Sequence, residues 1–303
     1  GSATTGKDHV DEAFCNKSGI RFIHAPGCNA GSVKQYVAAA LSLIMKKKAC
    51  SPEQLTLGII GAGQIGSRVF KLASILGFRV LINDPPRERR EGSSGFSSLP
   101  RVLQESDIVT VHVPLSLHGE DATFYMINDD FLRKMKSDSY LINTSRGPVA
   151  DTGALKRHAE RINYVLDVWE NEPDIDTGLL KNAFLVTPHI AGYSVDGKAN
   201  ASGTVIREAA KYFGFPLGSW EPDIPQPVHE KIEANCSDEK CNVYDAILQT
   251  YDIRKDDKKL RDNPESFERL RNGYPKRWEF EHYQVETQQT HCKSLFNKLG
   301  FKK

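Results

Sequence analysis

Short, nearly continuous apolar runs alternate with longer stretches in which apolar residues recur every three or four positions. The runs are "LTLGII" (55–60), "FRVLIND" (78–84), "DIVTVHVPL" (107–115), "SYLINTS" (139–145), "INYVLDVW" (162–169) and "NAFLVTP" (182–188). Between them lie "SRVFKLASILG", "VLQES", "DDFLRKMK" and "TGALKRHAE", which read as helices. Strands that are apolar on both faces and alternate with helices predict a parallel sheet covered on both sides. The pattern is one doubly wound α/β unit over about residues 50–190.

Outside that unit the pattern changes. "IRFIHA" (20–25) is a short apolar run stopped by the turn "PGCN". A helix is expected from Gly31 to about Lys47, with Val33, Tyr36, Val37, Ala40, Leu41 and Ile44 on one face. After residue 196 a helix runs through "GKANASGTVIREAAKYFG", and the proline-dense "FPLGSWEPDIPQPVH" reads as a linker. The remainder predicts a small charged α+β segment: strand "KIEAN", helix "NVYDAILQTYDI", loop "RKDDKKLRDNPES" and helix "THCKSLFNKLGF".

Composition narrows the function classes. The chain has 303 residues, with 40 Lys and Arg against 39 Asp and Glu. Such a balance funnels no polyanion onto the surface, so no nucleic-acid partner is expected. No apolar run reaches spanning length, no secretory leader pattern opens the chain, and no membrane association is expected. Cys15, Cys28, Cys50, Cys236, Cys241 and Cys292 form no CxxC or regular framework, which fits reduced thiols of a cytoplasmic protein. No His/Cys cluster has metal-ligand spacing, and no metal is expected.

The chemistry begins where the first strand ends. Gly61-Ala62-Gly63-Gln64-Ile65-Gly66 is a GxGxxG that follows a strand and opens a helix, and Asp84 closes the next strand 18 residues past Gly66. Gly61 permits the tight turn, Gly63 lets the backbone approach a pyrophosphate, and Gly66 lets helix and strand pack closely. The N–H groups of Gln64 and Ile65 face the anion from the helix terminus. Asp84 would accept from the ribose hydroxyls and repel a 2′-phosphate, which favours NAD over NADP. Arg87, Arg89 and Arg90 weaken that preference, although Pro85 and Pro86 are expected to turn the chain away.

Three further stretches end successive strands, where ligands bind in such sheets. "NTSRGPVAD" carries Arg146, "DVWENEP" carries Glu172 and "TPHIAGYS" carries His189. An arginine there can grip a carboxylate bidentately. A glutamate beside a histidine fixes one tautomer, so that the imidazole can take a proton from an alcohol. Beside a nicotinamide, the three describe alcohol oxidation by hydride transfer.

On these motifs the chain resembles the D-2-hydroxyacid dehydrogenase superfamily. "DHVDEAF", "APGCNA", "DPPR", "HIAGYSVDGKA" and the C-terminal "YDIRKDDKKLR…ESFERLRNGYPKRWEF" narrow the likeness to its branch acting on 4-phospho-D-erythronate in pyridoxal 5′-phosphate biosynthesis. The resemblance implies a Rossmann-like NAD-binding domain over 34–190, entered by a linking helix. It further implies a partial flavodoxin-like substrate domain over 1–33, a return helix over 191–217, a linker over 218–228 and a C-terminal homodimerisation domain over 229–303. Arg146 would bind the substrate carboxylate, His189 take the C2 hydroxyl proton and Glu172 support it, giving 3-hydroxy-2-oxo-4-phosphooxybutanoate. Thr144, Ser145, Asp167 and Gly192 match cofactor contacts; Thr4 and Tyr193 match contacts to the small phosphorylated 2-hydroxy acid. Lys198 and Ser2 are candidate phosphate ligands.

The chain departs from that pattern in three places. It starts within the substrate domain of the branch, Gln35 stands where glutamate is usual, and Val113 where a small polar residue is common. Two other readings stay open: another 2-hydroxyacid dehydrogenase of 3-phosphoglycerate or hydroxypyruvate type, and a non-catalytic NAD-binding dimer.

Overall fold

The computed structural model describes residues 1–234 and 242–303. A short helix, α1 (Glu12–Lys17), precedes the long α2 (Ala30–Lys48), which is buried along most of its length. Then come β1 (Thr56–Ile60), α3 (Gln64–Leu76), β2 (Arg79–Asn83), α4 (Pro85–Glu91), α5 (Leu99–Glu105), β3 (Ile108–Val111), α6 (Asp129–Lys134) and β4 (Tyr140–Asn143). The unit is completed by α7 (Thr152–Arg157), β5 (Asn163–Leu166), α8 (Thr177–Asn182) and β6 (Leu185–Val186).

The six strands form one all-parallel sheet in the order β2-β1-β3-β4-β5-β6. This is the expected doubly wound sheet. The chain leaves β1 toward one edge and resumes on its other side, so a crevice opens at the C-terminal ends of β1 and β3. β1, β3 and β4 are buried throughout, as apolar runs covered on both faces must be. Local signals set the helix ends: Gly77 closes α3 at φ +97°, and Asn128, Asp151 and Asp176 cap α6, α7 and α8 with side-chain oxygens.

The rest of the chain wraps this unit. The helix α9 (Val195–Phe213) leads through an irregular stretch to β7 (Lys231–Glu233). After it come α10 (Val243–Thr250), α11 (Arg254–Asp262), α12 (Phe267–Asn272), β8 (Gln284–Glu286) and α13 (Thr290–Leu299). β7 and β8 pair in parallel. α10 packs on α2, α13 on α3 and α11 on β6. Phe280, Phe296, Ala246 and Ile247 therefore share one core with α2 and with one face of the sheet. No helix among the described residues is long and apolar enough to cross a membrane.

Several expectations are corrected. The stretch 254–266 was expected as a loop but begins with α11. That helix has one buried apolar residue, Leu260, and so shows no stripe. It is supported instead by Lys258–Asp262 and Arg261–Asp257 pairs one turn apart and by Asp256, which accepts from the hydroxyls of Tyr251 and Tyr274. Pro85 and Pro86 do not turn the chain away: they start α4, where a missing N–H costs nothing, behind the N-cap Asp84. "IRFIHA" contributes one isolated bridge, His24 to Ser2, rather than a strand. "DIVTVHVPL" is a strand only from 108 to 111. Asn235, Cys236 and Cys241 lie outside the described residues.

Gln35 acquires a reason in the fold. Its amide donates to the Trp278 carbonyl (2.8 Å) and to Thr250 Oγ1 (3.2 Å), which an ionised glutamate cannot do.

Candidate active site

The glycine loop is built as its spacing demands. Gly61 has φ +85°, and a Cβ there would lie 2.6 Å from the His112 carbonyl oxygen; one on Gly66 would lie 2.0 Å from the Gly61 carbonyl oxygen. Around Gly63 a Cβ would meet nothing within 4 Å. Gly61 and Gly66 are forced by packing; Gly63 faces open space, as close approach of a ligand requires. No side chain caps the N-terminus of α3 at Gly63, so Gln64 and Ile65 present backbone donors there. These features fit a dinucleotide pyrophosphate.

Asp84 lies beside the loop. One carboxylate oxygen accepts from the Ala62 N–H (2.7 Å) and the other from Arg87 N–H (2.9 Å). Arg87 returns over the loop, donating to the Ala62 carbonyl (2.6 Å), while Glu91 holds its guanidinium through two bonds of 2.9 and 2.6 Å. Arg87, which is bonded into the loop beside Asp84, is therefore already paired.

A cavity of about 400 Å³ lies at the strand ends, lined among others by Thr4, Thr144, Arg146, His189, Tyr193 and Lys198. His189 Nδ1 lies 2.7 Å from Glu172 Oε2. The other Glu172 oxygen accepts from Trp169 N–H (2.9 Å), so the carboxylate is fixed before it meets the ring. The His189 backbone is left-handed, at φ +55°. Buried Asp167 stabilises that turn: its carbonyl accepts from His189 N–H (2.7 Å), and its carboxylate accepts from Ile190 N–H, Ala191 N–H and Thr187 Oγ1 at 2.7–2.9 Å. Tyr36 extends this network to Thr187 at 2.6 Å.

Of the residues expected from sequence, Ile65, Thr144, Arg146, Asp167, His189, Gly192, Tyr193, Thr4 and Lys198 share this cavity wall. Gly61, Gly63, Gln64, Gly66 and Asp84 sit at the glycine loop beside it. Ser145 is buried and its hydroxyl is bonded to Asn143 Oδ1 (2.6 Å), which shapes the loop from within. Ser2 is absent from the lining; its hydroxyl meets Thr4 (2.8 Å) and His9 (3.2 Å).

Five further residues, none given a role by the motifs, also shape the site. Asp8 binds Arg146 Nε at 2.7 Å, and Gly6 has no side chain because a Cβ there would lie 2.0 Å from the guanidinium. Asn29 packs under Gly192 and Gly197 and accepts from Thr5. His112 lies behind Thr144, with Nδ1 3.3 Å from its hydroxyl and Nε2 3.0 Å from Thr110; burial pulls its pKa down to about 3. Buried Arg277 donates to the carbonyls of Ala191 (2.7 Å) and Ile190 (3.2 Å), while its guanidinium lies 4.3 Å over the Tyr251 ring. "HVP" at a strand end is the local signal for His112; Asp8, Asn29 and Arg277 lie in stretches quoted above for the resemblance, but their contacts to the site are long-range and carry no periodic signal.

Among the described residues, Asp196, Glu281 and His282 come close enough to hold a metal ion. His282 Nε2 is however bonded to Asp196 Oδ1 at 2.5 Å, which accounts for their proximity.

Comparison with known proteins gives the family. Residues 37–191 match the family described as "D-isomer specific 2-hydroxyacid dehydrogenase, NAD binding domain", and 224–300 match a "Domain of unknown function (DUF3410)". The chain is 41% identical over 290 residues to an erythronate-4-phosphate dehydrogenase of Bacteroides thetaiotaomicron, covering 94% of this chain and 80% of that one. It is 34% identical to the protein of that name from Enterobacter sp., covering 99% and 82%. Among solved structures it resembles Aquifex aeolicus D-lactate dehydrogenase complexed with NAD and lactic acid, at TM-score 0.59 and 31% identity over 70% of this chain and 75% of that one. With an NAD-binding domain of the 2-hydroxyacid type over half its length and relatives of one name along almost all of it, the chain belongs to the erythronate-4-phosphate dehydrogenase family.

Proposed function

We propose that the protein oxidises the C2 hydroxyl of 4-phospho-D-erythronate to give 3-hydroxy-2-oxo-4-phosphooxybutanoate, a step of pyridoxal 5′-phosphate biosynthesis in the cytoplasm. The observation that carries this reading is the 2.7 Å contact between His189 Nδ1 and Glu172 Oε2 on the wall that also holds Arg146. With Nδ1 committed to the carboxylate, Nε2 is the nitrogen left to take the hydroxyl proton, and Glu172 stabilises the resulting imidazolium. Bound NAD⁺ supplies the acceptor for the hydride that leaves C2. Arg146 uses Nε on Asp8 and a second nitrogen on the Ser145 carbonyl (2.8 Å), which leaves the third, beside Gly6, to donate to a substrate carboxylate. The glycine loop, Asp84, Thr144 and Gly192 hold the cofactor; Thr4 and Tyr193 flank the substrate. Residues 34–190 act as the cofactor domain, and 229–303 as the homodimer contact.

The test is NADH formation from 4-phospho-D-erythronate, with 3-phosphoglycerate and D-glycerate (the reduced partner of hydroxypyruvate) as competitors. The first should give the highest kcat/KM; no NADH from it, with turnover of either competitor, rejects the assignment. Light scattering should give twice the chain mass, and a monomer at micromolar concentration rejects the dimer.

A further inference from the structure

Two cations on the cavity wall have no anionic partner among the described residues. Lys198, exposed in the first turn of α9, holds its Nζ 4.9 Å over the Tyr193 ring. Arg271, in the last turn of α12, lines the same cavity, and its Nε is buried without a hydrogen-bond partner. Its neighbours are committed: Arg254 to Asp252, Arg261 to Asp257, Arg269 to Ser266. Burying a guanidinium nitrogen with nothing to receive its proton is costly; that nitrogen is shut off from solvent, so an anion in the cavity would meet the rest of the guanidinium and balance a charge that the protein leaves unpaired.

Arg271 is held firmly. Phe267 and Leu270 of its helix pack into the core under the sheet. The preceding α11 is fastened to the end of β6, with Asp257 accepting from Val186 N–H (2.8 Å) and Arg261 donating to the carbonyls of Leu180 (2.6 Å) and Ala183 (2.8 Å). Just after Arg271, Tyr274 meets Tyr193 edge to face at 6.1 Å. The last segment of the chain therefore delivers a fixed, unpaired positive charge to the cavity that contains His189.

We propose that Arg271 and Lys198 are specificity-determining residues that bind the phosphate of the substrate, so that the C-terminal segment selects a phosphorylated acid. The inference rests on the substrate class proposed above. A four-carbon 2-hydroxy acid phosphorylated at C4 needs a second cationic site besides Arg146, and these are the two cations on that wall without anionic partners. Arg271 lies in the region matched to the domain of unknown function, beyond residue 191 where the cofactor-domain match ends.

Calorimetric titration of the NAD-loaded protein with inorganic phosphate tests this directly, using Arg271→Gln, Lys198→Gln and the double variant. Each single change should weaken phosphate binding about 10- to 100-fold, as for loss of a charged hydrogen bond, with NAD affinity unchanged. Arg271→Lys, which keeps the charge, should recover part of the loss and show that the fold is intact. In turnover, KM for 4-phosphoerythronate should rise by the same factor, while kcat/KM for unphosphorylated erythronate stays constant. Equal phosphate binding by wild type and double variant, no binding by wild type, or a parallel fall for both substrates overturns the proposal. Loss of phosphate binding in the variants, in a wild type that does not oxidise 4-phosphoerythronate, keeps the phosphate site and rejects the assigned reaction instead.

Discussion

His189 occupies a left-handed backbone conformation that costs a non-glycine residue about 1–2 kcal/mol, and Asp167 and Glu172 hold its main chain and its ring respectively. Replacing His189 by alanine should lower kcat by about 10²- to 10⁴-fold, the usual contribution of a positioned base. NAD affinity should stay within about twofold. A collapse of NAD binding with little further loss of turnover would show that the ring packs rather than reacts. At the glycine loop the proposed preference for NAD rests on the charges of Asp84 and Glu91. Asp84→Asn keeps the cap of α4 and removes the negative charge; Glu91→Gln releases Arg87 from its two bonds. The double variant should shift the kcat/KM ratio of NADP to NAD upward by at least about tenfold, the worth of one charged hydrogen bond. An unchanged ratio removes both residues from the ribose site.

Among the elements, those whose residues carry their own signal were legible in the sequence. The six parallel strands, α2, α3 closed by Gly77 and α9 follow from period and caps, and the ends of the strands then place Arg146, Glu172 and His189 on one crevice. The misread elements are those stabilised by partners distant in sequence. α11 has a single buried apolar residue and depends on ion pairs and on two tyrosine hydroxyls, and α4 begins at prolines that also fit a turn. Asp8 and Arg277 were invisible for the same reason, since each acts on a loop more than eighty residues away. Arg277 tests whether the C-terminal segment positions the histidine loop. Arg277→Met leaves the carbonyls of Ile190 and Ala191 without that donor, a cost of about 1–3 kcal/mol, visible as a lower denaturation midpoint. Because those carbonyls follow His189 directly, kcat should fall with the midpoint while KM for NAD changes little. A lower midpoint with full kcat reduces Arg277 to a packing residue.

For the whole molecule, both faces of the sheet are covered, one by α2, α3, α10 and α13 and the other by α5 to α8 with α11 and α12, so the strand ends are the exposed working edge. His112 lies at that edge, 9% exposed, where the end of β3 meets the glycine loop and the Thr144 loop. Its pKa of about 3 in the folded protein, against 6.5 for an ordinary histidine, ties stability to pH. Between those values the unfolded chain binds a proton at this position and the folded chain does not. Folding therefore becomes less favourable as pH falls through 6.5, by about 1.4 kcal/mol per pH unit, and the slope ends near the folded value. Buried carboxylates add their own dependence, so the measurement is a difference. Denaturant midpoints of wild type and His112→Asn, which retains a donor and an acceptor for Thr110 and Thr144, should be compared from pH 7.5 to pH 4.5. The variant should gain on the wild type by roughly 2–3 kcal/mol between pH 7.5 and pH 4.5. A constant difference across that range means that His112 is protonated, or reached by water, in the folded protein, and that the joint between the two loops is not sealed.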